Sequence, residues 1–223
     1  MKSSAEVQRA VLEELEFEPS LDAAAIGVAV ENGVVTLTGH VPGYADRISA
    51  EHAAKRVTGV RAVANDLTVE LGPGAIRDDT EIARVAANAI EWTTWIPENT
   101  VMVTVDKGWV TLEGTVLWQF QKDAAHRSVA RLAGVRGVSN LIVVTPALKP
   151  ENVERKIQSA LQRSASLDAK KIHVETIGGR AILQGAVRSW TERDDAERAA
   201  WSAPGVEEVD NDLVVGAAEL AAL

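Results

Sequence analysis

Apolar residues recur at four-residue intervals in three places along the chain: Val7/Val11/Leu15, Ile82/Ala86/Ile90 and Val153/Ile157/Leu161. That spacing lines each trio along one face of a helix. The period then changes to two, at Ile26/Val28/Val30, Val101/Val103/Val105 and Ile172/Val174/Thr176. Alternation of that kind predicts a half-buried strand. Short turns with glycine follow (Glu31-Asn32-Gly33, Asp106-Lys107-Gly108, Ile177-Gly178-Gly179) and predict a hairpin into a second strand. The second strand turns Val35/Leu37, Val110/Leu112 and Ala181/Leu183 inward. A helix rich in alanine and charge comes next, from about Ala45 to Val57 in the first instance. A third strand carries Leu67/Val69, Ile142/Val144 and Leu213/Val215.

These are three copies of one αββαβ unit. Gly33-Val-Val-Thr-Leu-Thr-Gly39 returns as Gly108-Trp-Val-Thr-Leu-Glu-Gly114 and Gly179-Arg-Ala-Ile-Leu-Gln-Gly185. Gly59-Val60, Gly134-Val135 and Gly205-Val206 follow at one distance, as do Asn65, Asn140 and Asn211. The offset is 75 residues between the first two copies and 71 between the last two, and it holds across each unit. Length therefore varies only between copies. Gly72-Pro73-Gly74 to Asp79 and Thr145-Pro146 to Pro150 are the linkers, and their prolines break regular elements. The units are placed at 1–71, 79–145 and 150–216, with a C-cap glycine at 59, 134 and 205 and a third strand that begins at the asparagine. The fold class is α+β: each unit is a three-stranded sheet with two helices on one face, because each strand is apolar on one side only. The other sheet face stays open unless something packs on it.

The Gly-x-Val-x-Leu-x-Gly-x-Val strand of copies one and two, and the Gly-Val-x-x-Val-x-Asn after the second helix in all three, resemble the BON domain. This bacterial module is named for osmotically induced and nodulation-type proteins. Copy three departs at Ala181. The resemblance covers residues 1 to about 215. It implies a non-enzymatic protein, stress-associated, similar to envelope modules that contact phospholipid or to small potassium-sensing proteins.

Composition narrows the classes further. The chain has 223 residues, no cysteine and a net charge of −9, which excludes disulfides and thiolate chemistry and argues against a general nucleic-acid binder. The longest apolar run, Ala23 to Val30, is far short of a membrane span. The first residues enter a charged helical pattern, so the expected location is the cytoplasm, with the periplasm as the alternative. Copy one (1–71) carries a net −5, copy two (81–145) 0 and copy three (151–215) −3.

Candidate chemistry is sparse. The glycines lack phosphate-loop spacing, so hairpin turns and close packing account for them. His40, His52, His126 and His173 occupy non-equivalent frames with no metal-ligand spacing on one face, and no nucleophile–histidine–acid set is indicated. No catalytic residue, metal site or cofactor is expected. A local side-chain to backbone bond accounts for the repeated asparagine; a cation held by nearby carbonyls is the sharper reading. Tryptophan is the exception, with six residues of which Trp92, Trp95, Trp109 and Trp118 lie in copy two. Trp109 replaces Val34 and Arg180 and faces away from the helices, since Val110 and Leu112 face them. Met102, Leu141 and Val143 fall in the same outward frame. These residues, with Trp118, are the expected interaction surface. Its expected occupant is a neighbouring copy, a protein partner or a second chain, with lipid or another apolar ligand as the further alternative and a small cation sensor as a separate reading.

Overall fold

A computed structural model describes residues 3–145, 152–164 and 167–216. The three units have the same element order. Unit 1 comprises α1 (Ser4–Glu16), β1 (Ile26–Glu31), β2 (Val34–Val41), α2 (Tyr44–Arg56) and β3 (Ala62–Val69). Unit 2 comprises α3 (Asp79–Glu91), β4 (Val101–Asp106), β5 (Trp109–Val116), α4 (Gln119–Ala130), and a third strand divided into β6 (Gly137–Asn140) and β7 (Val143–Val144). Unit 3 comprises α5 (Val153–Arg163), β8 (Ile172–Ile177), β9 (Arg180–Val187), α6 (Trp190–Trp201) and β10 (Glu208–Val215). The first linker, 72–78, is a turn-rich stretch, whereas 146–150 lies outside the described residues.

Two of the three first helices begin at a side-chain cap. The Ser3 hydroxyl accepts from the Glu6 amide at 3.3 Å, while the Glu6 carboxylate accepts from the Ser3 amide at 2.7 Å, a reciprocal cap that satisfies two donors. Asp78 caps α3 through the Glu81 amide at 2.7 Å. The central strand of each sheet pairs antiparallel with the strand before it and parallel with the strand after it. The second helix makes the crossover that a parallel pair needs. Val7, Val11, Leu15, Val35, Leu37, Ala50, Ala53 and Ala54 form the unit 1 core, and equivalent residues fill the other two.

Gly39, Gly114 and Gly185 sit on the central strand with φ of +117°, +142° and +131°. A Cβ there would lie 2.2, 2.0 and 2.0 Å from the carbonyl oxygens of Ala25, Thr100 and Lys171. Only glycine lets the chain entering the first strand approach so closely.

Two local expectations are corrected. Gly59, Gly134 and Gly205 are not helix C-caps, since the capping residues are Val57, Arg131 and Ser202. They occupy the third position of a turn closed by Val60 N–H to Val57 O at 3.3 Å, and by the equivalent bonds at Val135 and Val206. Positive φ at that position explains the glycine, and Ala203-Pro204-Gly205 carries the proline that such turns favour just before it. Nor does the third strand begin at the asparagine: it begins three residues earlier, at Ala62, Gly137 and Glu208.

The units meet through their second helices. Tyr44 of unit 1 packs on the unit 2 core, Trp190 of unit 3 on the unit 1 core, and Trp201 of unit 3 on the unit 2 core. The Arg136 guanidinium adds a bond across units, donating to the Val69 carbonyl at 3.3 Å.

Candidate functional site

The outer face of the middle sheet is built by alternation. Met102, Trp109, Leu141 and Val143 lie on it and are 63%, 45%, 58% and 59% exposed. Among the described residues no other unit covers them, which leaves a partner, a second chain or an apolar ligand of the occupants the sequence reading offered: helices, not sheet faces, join the units. The four side chains do not form one unbroken patch either. Met102 pairs with Glu113 across β4 and β5, and Thr104 pairs with Thr111 in the next outward row. Those polar side chains stand between the Met102 end and Trp109. The Trp109 indole lies over the Gly137 backbone, where a Cβ would fall 2.4 Å from the ring, and its Nε1–H donates to the Ser139 hydroxyl at 2.8 Å. Trp118 belongs elsewhere. It precedes α4 and lines a cleft against α6, away from the sheet face.

That same end of unit 2 carries further exposed apolar groups. Trp92 and Trp95 are 79% and 67% exposed. The Trp95 ring meets Phe120 edge-on at 6.2 Å, and the Gln121 amide donates to the Trp95 carbonyl at 2.7 Å, which fixes the loop to α4.

The repeated asparagine ties strand to helix. Asn65 Nδ2 donates to the Arg47 carbonyl and the Glu51 carboxylate, both at 3.1 Å, and its Oδ1 accepts from the Leu67 amide at 3.3 Å. Asn211 repeats this with Arg193, Glu197 and Leu213. Asn140 keeps only the Lys122 carbonyl (2.8 Å) and the Ile142 amide (3.3 Å), because His126 stands where the other units have glutamate. Only the bond to the amide two residues on is local, as one of the two sequence readings has it; the others reach back to the second helix. Among the described residues no group of three or more His, Asp or Glu side chains could hold a metal ion. No described helix is long and apolar enough to cross a membrane.

The junction of the second helices holds the displaced ionisation equilibria. His126 meets Tyr44 edge-on at 6.2 Å, and burial lowers its pKa. Burial raises the pKa of Tyr44. Asp194 is exposed over the whole residue, but partial burial of its carboxyl raises its pKa. Burial pushes Glu51 upward, yet hydrogen bonds from Lys55 and Asn65 outweigh it and leave the carboxyl lowered. Sequence reasoning passed over this junction. Its signal was one aligned column, Tyr44, Gln119 and Trp190, at which each second helix begins.

A family model for the BON domain matches residues 3–70, 78–146 and 150–217. The chain belongs to the BON domain family. It is thus three tandem BON domains, joined by their second helices. Osmotically-inducible protein Y of Escherichia coli (strain K12) is 31% identical over 150 residues, covering 63% of this chain and 74% of that protein. Two solved structures of CdsD, a structural protein of the type III secretion system of Chlamydia trachomatis, align at 14% identity with a TM-score of 0.26. The alignments cover 94% and 96% of this chain and 92% and 99% of those chains.

Proposed function

We propose that the protein is a non-enzymatic binding protein of the osmotic stress response, in which the middle BON domain contacts a protein partner or a second copy through its open sheet face. The likeness to an osmotically inducible protein supports the stress association. The observation that carries the contact surface is the exposure of Met102, Trp109, Leu141 and Val143 on one face. Burying side chains of this size contributes roughly 1.5–3 kcal/mol each, so a wet face of this kind favours association. The outer face of unit 3 differs in kind: there Arg180 is ion-paired with Asp210 and lies 3.8 Å from Glu208.

The test is a pair of charge changes read by sedimentation over a concentration series. Trp109→Glu should weaken self-association or partner capture, and Arg180→Glu should not. Equal behaviour of the two variants defeats the assignment. A second reading, contact with phospholipid, is favoured by exposed Trp92 and Trp95, since tryptophan suits an apolar–aqueous boundary. Cosedimentation with phosphatidylcholine vesicles, lost in a Trp92→Ser/Trp95→Ser variant, distinguishes it.

A further inference from the structure

The three second helices face one another in a cycle. The residue that opens each helix is equivalent in all three domains: Tyr44, then Gln119 at an offset of 75, then Trp190 at an offset of 71. Two of them plug a junction with an aromatic ring. Tyr44 crosses to unit 2, where it meets His126 and the Val138 backbone. Trp190 crosses to unit 1, where the Lys55 ammonium lies 6.0 Å from its ring centre.

The third junction is not plugged by its helix-opening residue, although Trp201 of unit 3 packs on the unit 2 core from the opposite side. Gln119 donates back to Asp123 on its own helix at 3.0 Å and does not bridge to unit 3. Beside Gln119 there is a cleft of about 700 Å³ between α4 and α6, with His52 of α2 at its edge. A volume of that size suits a small organic molecule. Trp118, Phe120 and Trp201 give it an aromatic wall. The rest of the lining is polar, with Asp123, Asp194 and Glu197 alongside His52, Arg127 and Arg198. Trp201 holds the position that Lys55 holds in the junction closed by Trp190, so the wall here offers a ring where the sister junction offers a cation. Asp194 lines the same cleft and makes no hydrogen bond or ion pair among the described residues; burial raises its pKa, while the charges of Lys55, His52 and Arg193 act on it in the opposite sense. Arg198, also in the lining, is already engaged with Asp195 at 2.8 Å.

We infer that this cleft is a binding site for a small molecule that combines an aromatic ring with an ammonium group. The ring takes the place that Gln119 leaves unfilled, against the aromatic wall, and the ammonium pairs with Asp194 and with the face of a neighbouring tryptophan. The site is separate from the sheet face of the middle domain and does not depend on it. Arg127, on the α4 wall, is placed to receive a carboxylate if the ligand is an aromatic amino acid and not a simple amine.

The full chain is titrated calorimetrically with phenethylamine, L-phenylalanine, butylamine and phenylacetate. Phenethylamine or L-phenylalanine should bind saturably at one site. Butylamine, which lacks the ring, and phenylacetate, which lacks the cation, should bind at least about tenfold more weakly, a difference of about 1.4 kcal/mol. Tighter binding of phenylalanine than of phenethylamine assigns the ligand to amino acids, and the reverse order to amines. Gln119→Trp supplies the plug and should abolish binding while raising the melting temperature. Asp194→Asn, a change at an exposed residue that leaves the fold intact, should remove the preference for the ammonium. The inference is overturned if no probe binds saturably, if butylamine or phenylacetate matches phenethylamine, or if Gln119→Trp and Asp194→Asn both bind phenethylamine as the parent does.

Discussion

Asn65, Asn140 and Asn211 show how much one side chain carries in a small domain. Each satisfies strand and helix groups at once, and a half-satisfied buried polar site costs about 1–3 kcal/mol. Asn65→Ala should therefore lose about 1–3 kcal/mol in urea unfolding. Asn140→Ala should lose less, because its partners are neutral backbone groups and no glutamate is left without its donor. Trp190 presents the opposite case. Its Nε1–H is buried with no acceptor among the described residues. Trp190→Phe removes that unpaired donor and keeps most of the packing, so it should match or exceed the parent melting temperature. Trp190→Ala removes the plug and should cost roughly 1.5–3 kcal/mol.

At the scale of elements, the central strand carries the tightest constraint. Gly114 combines φ of +142° with a carbonyl 2.0 Å from where a Cβ would stand. Gly114→Ala must displace the start of β4 from β5, and a loss of about 3 kcal/mol or more is expected. Each domain has its own core, so hydrogen exchange should rise first in β4, β5 and β6, while β1 to β3 stay protected. Uniform acceleration across all three sheets would show instead that the domains unfold as one. The helix ends were less legible than the strands. A glycine shortly after a helix is compatible with a C-cap or with a following turn, and the amide of residue 60, 135 or 206 decides between them.

At the scale of the whole molecule, the helical junction couples the domains to pH. Burial holds His126 below its ordinary pKa of 6.5, so the unfolded chain binds that proton more readily than the folded one. Stability contributed by neutral His126 is present above the ordinary histidine pKa and is lost as pH falls from there towards the lowered folded value. Asp123 opposes this shift, while Arg127 and His52 reinforce it. The melting temperature should fall on acidification through this window, and His126→Gln should flatten the profile. An identical pH profile for the two proteins would refute a titrating junction.

The sequence alone determined the unit, its element order and its core. Those features rest on short-range periodicity, and three copies in one register leave little freedom in reading it. Trp109, Met102, Leu141 and Val143 were placed on their outward face by alternation alone, because a strand has only two sides. What covers a face is a different matter. The sequence reading considered a neighbouring copy against the middle sheet; the tertiary structure joins the domains by helices and leaves that sheet wet. Polar Glu113, Thr104 and Thr111 divide its apolar residues, and Trp118 leaves the group altogether. Only the assembled triangle of helices gives meaning to Tyr44, Gln119 and Trp190. Whether a helix-opening side chain fills a junction or leaves it empty depends on the helix of the next domain, which no periodicity within one copy records.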